Sequence, residues 1–337
     1  MRRGSIAWLL GIGIVAGGIA AAVALALPWL PTPASREASR IDFEFWFVVT
    51  ICIVIFAIVV AAILYSVVVF RAAPDDDSDG PPIHGHTGLE IAWTIVPTLL
   101  VTAIGISSTI VLSNDDALGK NVLRINVTAQ QFAWSFSYPD ANNLTSATLM
   151  LPKDRSVQLV FTSKDVIHSF WVPQFGQKED TVPGMHTKLH ITPDRLGTFP
   201  VICTELCGLG HATMRSTAIV MTPAAFDKWI AAQTKAIASP NAGQAGKAVF
   251  TNNGCGACHT LTGAGTTGKV GPDLDKLAAY ATQAHQPLAA FIRTSIVDPN
   301  AYVQPGYPKN VMPQTFGQSL SKQQLNALVT YLAGSSK

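Results

Sequence analysis

The chain has 337 residues, 48% of them apolar and only 13% charged, which is length enough for two or three domains and too apolar for an ordinary soluble protein. Lysine and arginine total 23 against 21 acidic residues, so the net charge of +2 offers no electrostatic case for a nucleic-acid partner. Mean hydropathy is +0.30, and most of the apolar excess lies in the first 112 residues.

In chain order, Ser5–Leu30 follows Arg2 and Arg3 and ends in small residues and prolines, so residues 1–30 read as a signal peptide or an N-terminal anchor. No cysteine follows that would mark a lipoprotein cleavage site. Phe45–Phe70 carries no charge and predicts a transmembrane helix; Ile91–Leu112 predicts a second, with Pro97 tolerable inside it. Residues 42–112 are therefore expected to form a two-helix transmembrane hairpin. Arg2 and Arg3 place the start of the chain on the cytoplasmic side, Arg36 and Arg40 outside, and the loop from Arg71 to Glu90 inside. That loop is acidic (Asp75, Asp76, Asp77, Asp79), so the positive-inside rule supports this orientation weakly.

Beyond Leu112 the pattern changes. Val122–Val127, Phe132–Tyr138, Ala147–Leu151, Ser156–Thr162, Lys188–Thr192, Gly197–Cys203 and Thr217–Thr222 are short alternating runs separated by turn residues, which predicts an antiparallel β-sandwich or barrel over 113–232. Phe226–Ile237 reads as a closing helix. Ala238–Gly246 is small and polar, and 233–245 is expected to be a linker. Residues 246–337 show helical patterns at Gly246–Asn252, Leu288–Ser295 and Lys322–Leu332, with long glycine-rich connections. So loop-rich a segment has a thin core of its own, which a large internal cofactor would fill.

Two constellations carry chemistry. In the first, Cys203-x-Glu205-x-Cys207, His211 and Met214 lie in one loop, and His168 ends an earlier strand. Thiolate, imidazole and thioether ligands suit copper in electron transfer, and two thiolates are enough to bridge two coppers. A Cys203–Cys207 disulfide or a tetrahedral zinc site are the alternatives. The second is Cys255-Gly-Ala-Cys258-His259, the pattern of a covalent heme with its histidine on the iron. Gly271-Pro272 follows, where a proline carbonyl could hold the histidine N–H. Met312, the one methionine after Met221, is the expected sixth ligand, with His285 as the alternative. Covalent heme attachment puts these domains on the outer side of a bacterial inner membrane. Cys52, His84, His86, His186 and His190 are given no site role.

The segment Val157–Trp229 resembles the copper domain of cytochrome c oxidase subunit II, a cupredoxin with a binuclear CuA centre and Greek-key strands. The resemblance implies side-chain copper ligation by His168, Cys203, Cys207, His211 and Met214, and by the backbone carbonyl of Glu205, whose carboxylate would face a Mg site shared with the catalytic subunit. Phe45–Leu112 resembles the family's hairpin, and Leu89-Glu90-Ile-Ala-Trp93-Thr94-Ile-Val-Pro97 matches the start of its second helix. There Glu90 would stand at the entrance of a proton pathway. The likeness covers Asp42–Trp229. It departs at Gln131–Tyr138, where the family's electron-accepting tryptophan is replaced by Phe132; Trp134 remains and is expected beneath the copper site.

Residues 246–337 resemble a class I cytochrome c. The whole chain thus resembles subunit II of a caa-type oxidase: a multidomain protein of transmembrane α-helical hairpin, all-β cupredoxin and all-α cytochrome c domain. The resemblance implies partners in oxidase subunits I and III, a cytochrome c or membrane electron donor, and membrane lipid. Electrons would pass from heme c to CuA and on to subunit I, where O2 is reduced to water with proton translocation. The electron-input subunit of a CuA-containing nitric oxide reductase, and a membrane-anchored electron carrier without a catalytic partner, are the other readings.

Overall fold

The computed structural model describes residues 3–71, 82, 84–239 and 241–335. Arg2 and the acidic residues Asp75, Asp76, Asp77 and Asp79 of the expected cytoplasmic loop lie outside the described residues. The chain forms two compact units, Met1–Thr32 with Ser39–Asp116, and Pro33–Ala38 with Ala117–Lys337.

The first unit is helical. α1 (Arg3–Ala26), α2 (Arg36–Val69) and α3 (Thr87–Asp115) are each long and apolar enough to cross a membrane, so the expected hairpin is joined by a third apolar helix. On α1, a Cβ added at Gly13 or Gly17 would meet the Cβ of Ala61 at 3.7 Å or of Ala57 at 3.2 Å, so small residues four apart on both helices let the backbones approach. Both hairpin helices extend beyond the apolar runs Phe45–Phe70 or Ile91–Leu112 at one end or both, into turns that carry polar residues. These ends are tied together. Arg40 Nε donates to Asp115 Oδ1 at 2.6 Å, and the hydroxyls of Ser107 and Ser108 donate to the Glu44 carboxylate at 2.6 and 2.7 Å. Pro97 leaves α3 unbroken.

The second unit begins with β1 (Leu123–Gln130), β2 (Ala133–Tyr138), β3 (Leu144–Ser146), β4 (Leu149–Pro152), β5 (Val157–Ser163), β6 (His168–Trp171), β7 (Lys178–Thr181), β8 (Thr187–Ile191), β9 (Gly197–Cys203) and β10 (Arg215–Met221). They form two five-stranded sheets, ordered β3-β2-β1-β5-β8 and β4-β10-β9-β6-β7. The expectation of an antiparallel sandwich needs correction, since β1 pairs with β5 and β4 with β10 in parallel. Alternation of apolar and polar residues is the same in both pairings, so the pattern could not separate them. β3, β6 and β7 fall outside the expected strands: they are three or four residues long, and β6 is buried along most of its length without alternation.

The sandwich core is aromatic. Trp134, Phe136 and Phe161 surround Phe170 with ring centroids 5.6, 6.4 and 5.2 Å away. Buried Tyr138 accepts from Met150 N at 2.7 Å and donates to Met150 O at 3.1 Å, which binds β2 to β4 across the two sheets. α4 (Pro223–Ile237) closes this end through Phe226 and Trp229, whose rings pack against Tyr138 tilted and edge-on.

Most of the expected linker is helical. α4 runs through Ile237, and α5 (Ala242–Asn252) starts after Asn241, whose side chain caps it by accepting from Gln244 N at 3.2 Å. Small polar residues serve as N-caps as readily as linkers, which is why composition misled. The rest of the unit comprises α6 (Cys255–Cys258), the short hairpin β11 (His259–Leu261) and β12 (Thr266–Lys269), α7 (Leu277–Gln283), α8 (Leu288–Val297), α9 (Phe316–Ser319) and α10 (Lys322–Ser335). Val249, Phe250, Leu261, Ile292 and Leu328 form a separate core.

Candidate metal centres

The start of β6 and the end of β9 lie side by side in the interior of one sheet, and the loop 204–214 runs from β9 to β10. His168 is fully buried there, with Nδ1 4.0 Å from Cys203 Sγ. Cys203 Sγ lies 3.8 Å from Cys207 Sγ and 3.3 Å from the Glu205 carbonyl. Cys207 Sγ in turn lies 3.6 Å from His211 Nδ1 and 3.8 Å from Met214 Sδ. Both cysteines are free thiols. Two imidazole nitrogens, a thioether and a carbonyl therefore each lie within 4.0 Å of one or other of two adjoining buried sulfurs, from residues that span two strands and a loop. That donor set is soft and borderline in character and suits copper. A pair of sulfurs in van der Waals contact, each flanked by its own imidazole, is what a bridged two-metal site requires.

Asp165 was not foreseen. Its Oδ1 bonds His168 Nε2 at 2.8 Å, and its Oδ2 accepts from Gln131 N at 2.6 Å. A carboxylate only accepts, so the ring proton sits on Nε2 and the Nδ1 lone pair is left facing the sulfurs. An aspartate three residues before the histidine at a strand start was the available signal. Burial disfavours charge on Asp165, but its hydrogen bonds from Gln131, His168 and Val166 outweigh this and hold the carboxyl below its ordinary value. At Cys203, burial is likewise outweighed by hydrogen bonds with His168 and with the backbone at Ser169 and Glu205, which bring the thiol down to about 6. Burial and the adjacent Cys203 charge push Cys207 up to about 12. Two adjoining sulfurs in a buried site thus resist carrying two negative charges together in the metal-free chain, a cost that bound metal would offset. Trp134 sits under the cluster, 3% exposed, with its ring 6.2 Å from that of His168.

The second constellation forms an apolar cavity. Cys255, Cys258, His259 and Met312 line it together with Phe291 and Leu328. His285, the alternative iron ligand, is not among the lining residues. His259 Nδ1 donates to Pro272 O at 2.8 Å, which fixes the ring and turns Nε2 toward the cavity. Gly271 lies against the imidazole so closely that a Cβ there would collide with the ring. Burial lowers the His259 pKa, keeping it a neutral donor, and pushes the Cys255 thiol up to about 12. A cavity with two thiols, an oriented imidazole and a thioether on apolar walls fits a covalently held heme.

The remaining expected residues are less enclosed. Glu205 offers its carbonyl to the cluster, and the residue itself is exposed. Glu90 lies in the first turn of α3, and its Oε1 accepts from His86 N at 3.2 Å; His86 Nδ1 accepts from Leu89 N. The reciprocal pair caps the helix, a role for His86 that the sequence did not reveal. Phe132 is among the residues that line the cavity holding Cys255, His259 and Met312.

Three family profiles match in succession: the cytochrome c oxidase subunit II transmembrane domain over residues 22–111, its periplasmic domain over 144–222, and cytochrome c over 243–336. The cytochrome c oxidase subunit 2 of Alkalihalophilus pseudofirmus is 32% identical over 82% of this chain and 82% of its own length. The chain belongs to the cytochrome c oxidase subunit II family. The subunit 2 of a Synechocystis species is 34% identical over 61% of this chain and 76% of its own. The periplasmic domain of subunit II from Bradyrhizobium japonicum aligns at 28% identity with 34% of this chain and 96% of its own, with a TM-score of 0.33. This subunit II is thus a membrane protein with a periplasmic β-domain and an appended cytochrome c domain, part of an oxidoreductase complex with other oxidase subunits; its two outer domains imply copper and heme.

Proposed function

We propose that this chain is the electron-input subunit of a caa-type terminal oxidase. Cys255 and Cys258 would hold a heme c through thioether bonds, and His259 and Met312 would supply ligands to its iron. His168, Cys203, Cys207, His211, Met214 and the Glu205 carbonyl hold a binuclear CuA. When bound, the two groups supply one-electron relays, and the residues around them set geometry and exclude water. With both groups bound, the heme held by His259 and Met312 would accept electrons from a cytochrome c or membrane donor, and the copper site held by the loop 203–214 would hand them to subunit I, the site of O2 reduction and proton translocation. Glu205 contributes to Mg at the subunit I face, and Glu90 stands at the entrance of a proton pathway. Subunit III completes the assembly in the bacterial inner membrane.

The observation that carries this reading is the convergence of the two Sγ atoms, 3.8 Å apart, with a separate imidazole at each. One thiolate would suffice for a mononuclear electron-transfer site; a second at this distance favours a bridged pair. Metal analysis and EPR of the purified full-length subunit test it. Two coppers and one iron per chain, with the copper electron shared over two nuclei, are expected. One copper, or zinc, would overturn it.

A further inference from the structure

We propose that Asn300, Asn310 and Gln314 form a clasp that holds the Met312 loop closed on the heme cavity and so sets how firmly the iron keeps its methionine; the inference deepens the heme reading above and rests on it. Asn300 lies three residues beyond the end of α8, and the chain then makes an excursion of irregular backbone before it returns at Asn310. Asn300 uses both ends of its amide at that point. Its Nδ2 donates to Asn310 Oδ1 at 2.7 Å, and its Oδ1 accepts from Asn310 N at 3.0 Å. The excursion is thereby closed at its base.

The same Asn310 oxygen accepts a second bond, from Gln314 Nε2 at 3.1 Å. Asn310 and Gln314 stand two residues before and two after Met312, so this bond draws the chain into a turn with Met312 at its centre. Asn310 has φ +62°, in the left-handed region where asparagine is among the few tolerated side chains. The backbone bend and the acceptor therefore come from one residue. Pro308 and Pro313 flank the turn and restrict φ on either side. A separate bond, from Gln304 Nε2 to Gln283 Oε1 at 2.9 Å, ties the middle of the excursion to α7. Asn300, Asn310 and Met312 all line the cavity of Cys255 and His259.

The two iron ligands are held differently. His259 adjoins Cys258 and is fixed by Pro272 O, whereas Met312 is brought to the cavity by a long loop. A thioether is a soft donor that ferric iron holds less tightly than ferrous iron does, so ligation in the oxidised state depends on the loop being already in place. The apparent strength of the bond scales with the fraction of chains whose loop is closed. All three clasp bonds are neutral and lie at the surface, so loss of two of them should shift that fraction by about 3–10-fold.

The test uses the full-length subunit with its heme attached, in the ferric state, titrated with imidazole. The imidazole nitrogen takes the place of the Met312 sulfur on the iron, with no electron transferred, so its affinity reads the open population. Asn300→Ala should bind imidazole about 3–10-fold more tightly, weaken the methionine-to-iron charge-transfer band and lower the heme potential, with the copper EPR signal unchanged. Asn310→Gly, which permits the same backbone bend but lacks the acceptor, should do likewise. Gln314→Ala, which strips one bond from an exposed residue, should move the affinity the same way by about 2–3-fold. Asn310→Asp, which restores the oxygen on a residue that tolerates the bend, should return imidazole affinity to the wild-type value. Wild-type imidazole affinity and an unshifted band in Asn300→Ala and Asn310→Gly overturn the inference, as does an Asn310→Asp no tighter in its methionine ligation than Asn310→Gly. A wild-type ferric chain without the methionine charge-transfer band is a different result, which removes Met312 as a ligand and the clasp with it.

Discussion

Asp165→Asn removes the charge from the carboxyl that joins His168, a proposed copper ligand, to the β1–β2 turn. The aspartate accepts three short hydrogen bonds, from Gln131 N at 2.6 Å, Val166 N at 2.7 Å and His168 Nε2 at 2.8 Å. Bonds to a charged acceptor contribute about 1.5–3 kcal/mol each, but they are not additive. The Asp165 side chain is 29% exposed, so water replaces part of what is lost. A loss of about 1–2 kcal/mol in the copper-free domain is therefore expected, with the larger share at fully buried His168. Carboxylates behind a ligating histidine typically govern metal affinity by about 10–100-fold, so copper should bind more weakly by that factor. The pH dependence has a definite sign. The folded carboxyl titrates below its unfolded value, so its stabilisation is complete above about pH 4 and fades as pH falls through the folded value. In Asp165→Asn this acid-side loss should vanish. Chelator competition measures affinity, and thermal unfolding of copper-free subunit across pH measures stability. Unchanged affinity together with an unchanged acid limb would refute the assigned role of Asp165.

Two further predictions concern the other core elements. Met312→Ala removes the thioether from the cavity wall, so the heme should leave the six-coordinate low-spin state; an unchanged optical spectrum would return the ligand to another side chain such as His285. Tyr138→Phe strips the hydroxyl from both Met150 bonds inside a buried site and leaves a donor and an acceptor unpaired, which should lower copper-domain stability by about 1–3 kcal/mol in denaturant unfolding while the copper EPR signal stays the same.

The legible parts of the chain were those in which chemistry and spacing are local. Cys203, Cys207, His211 and Met214 share one loop, and Cys255, Cys258 and His259 share one turn, so chain geometry alone brings them together. The spans were legible because twenty apolar residues in a row have few other uses in water. Strand existence was readable for long alternating runs such as Gly197–Cys203, but not for β6, whose four residues are buried and carry no period. The stretch 233–245 misled because the same small polar residues end one helix, cap the next and build linkers.

By itself, then, the amino-acid order determined which ligand types exist, that three domains follow one another, and that the first is apolar enough for a membrane. Only the tertiary structure decided how they are wired. It brought His168 to a sulfur 35 positions away and set Asp165 behind it. It also laid Gln130 beside Thr315, across 185 residues. The reason is physical. A spacing of a few residues constrains distance through covalent geometry, whereas contacts across such separations depend on which faces pack, and that is settled by the sum of many weak interactions that no single motif records.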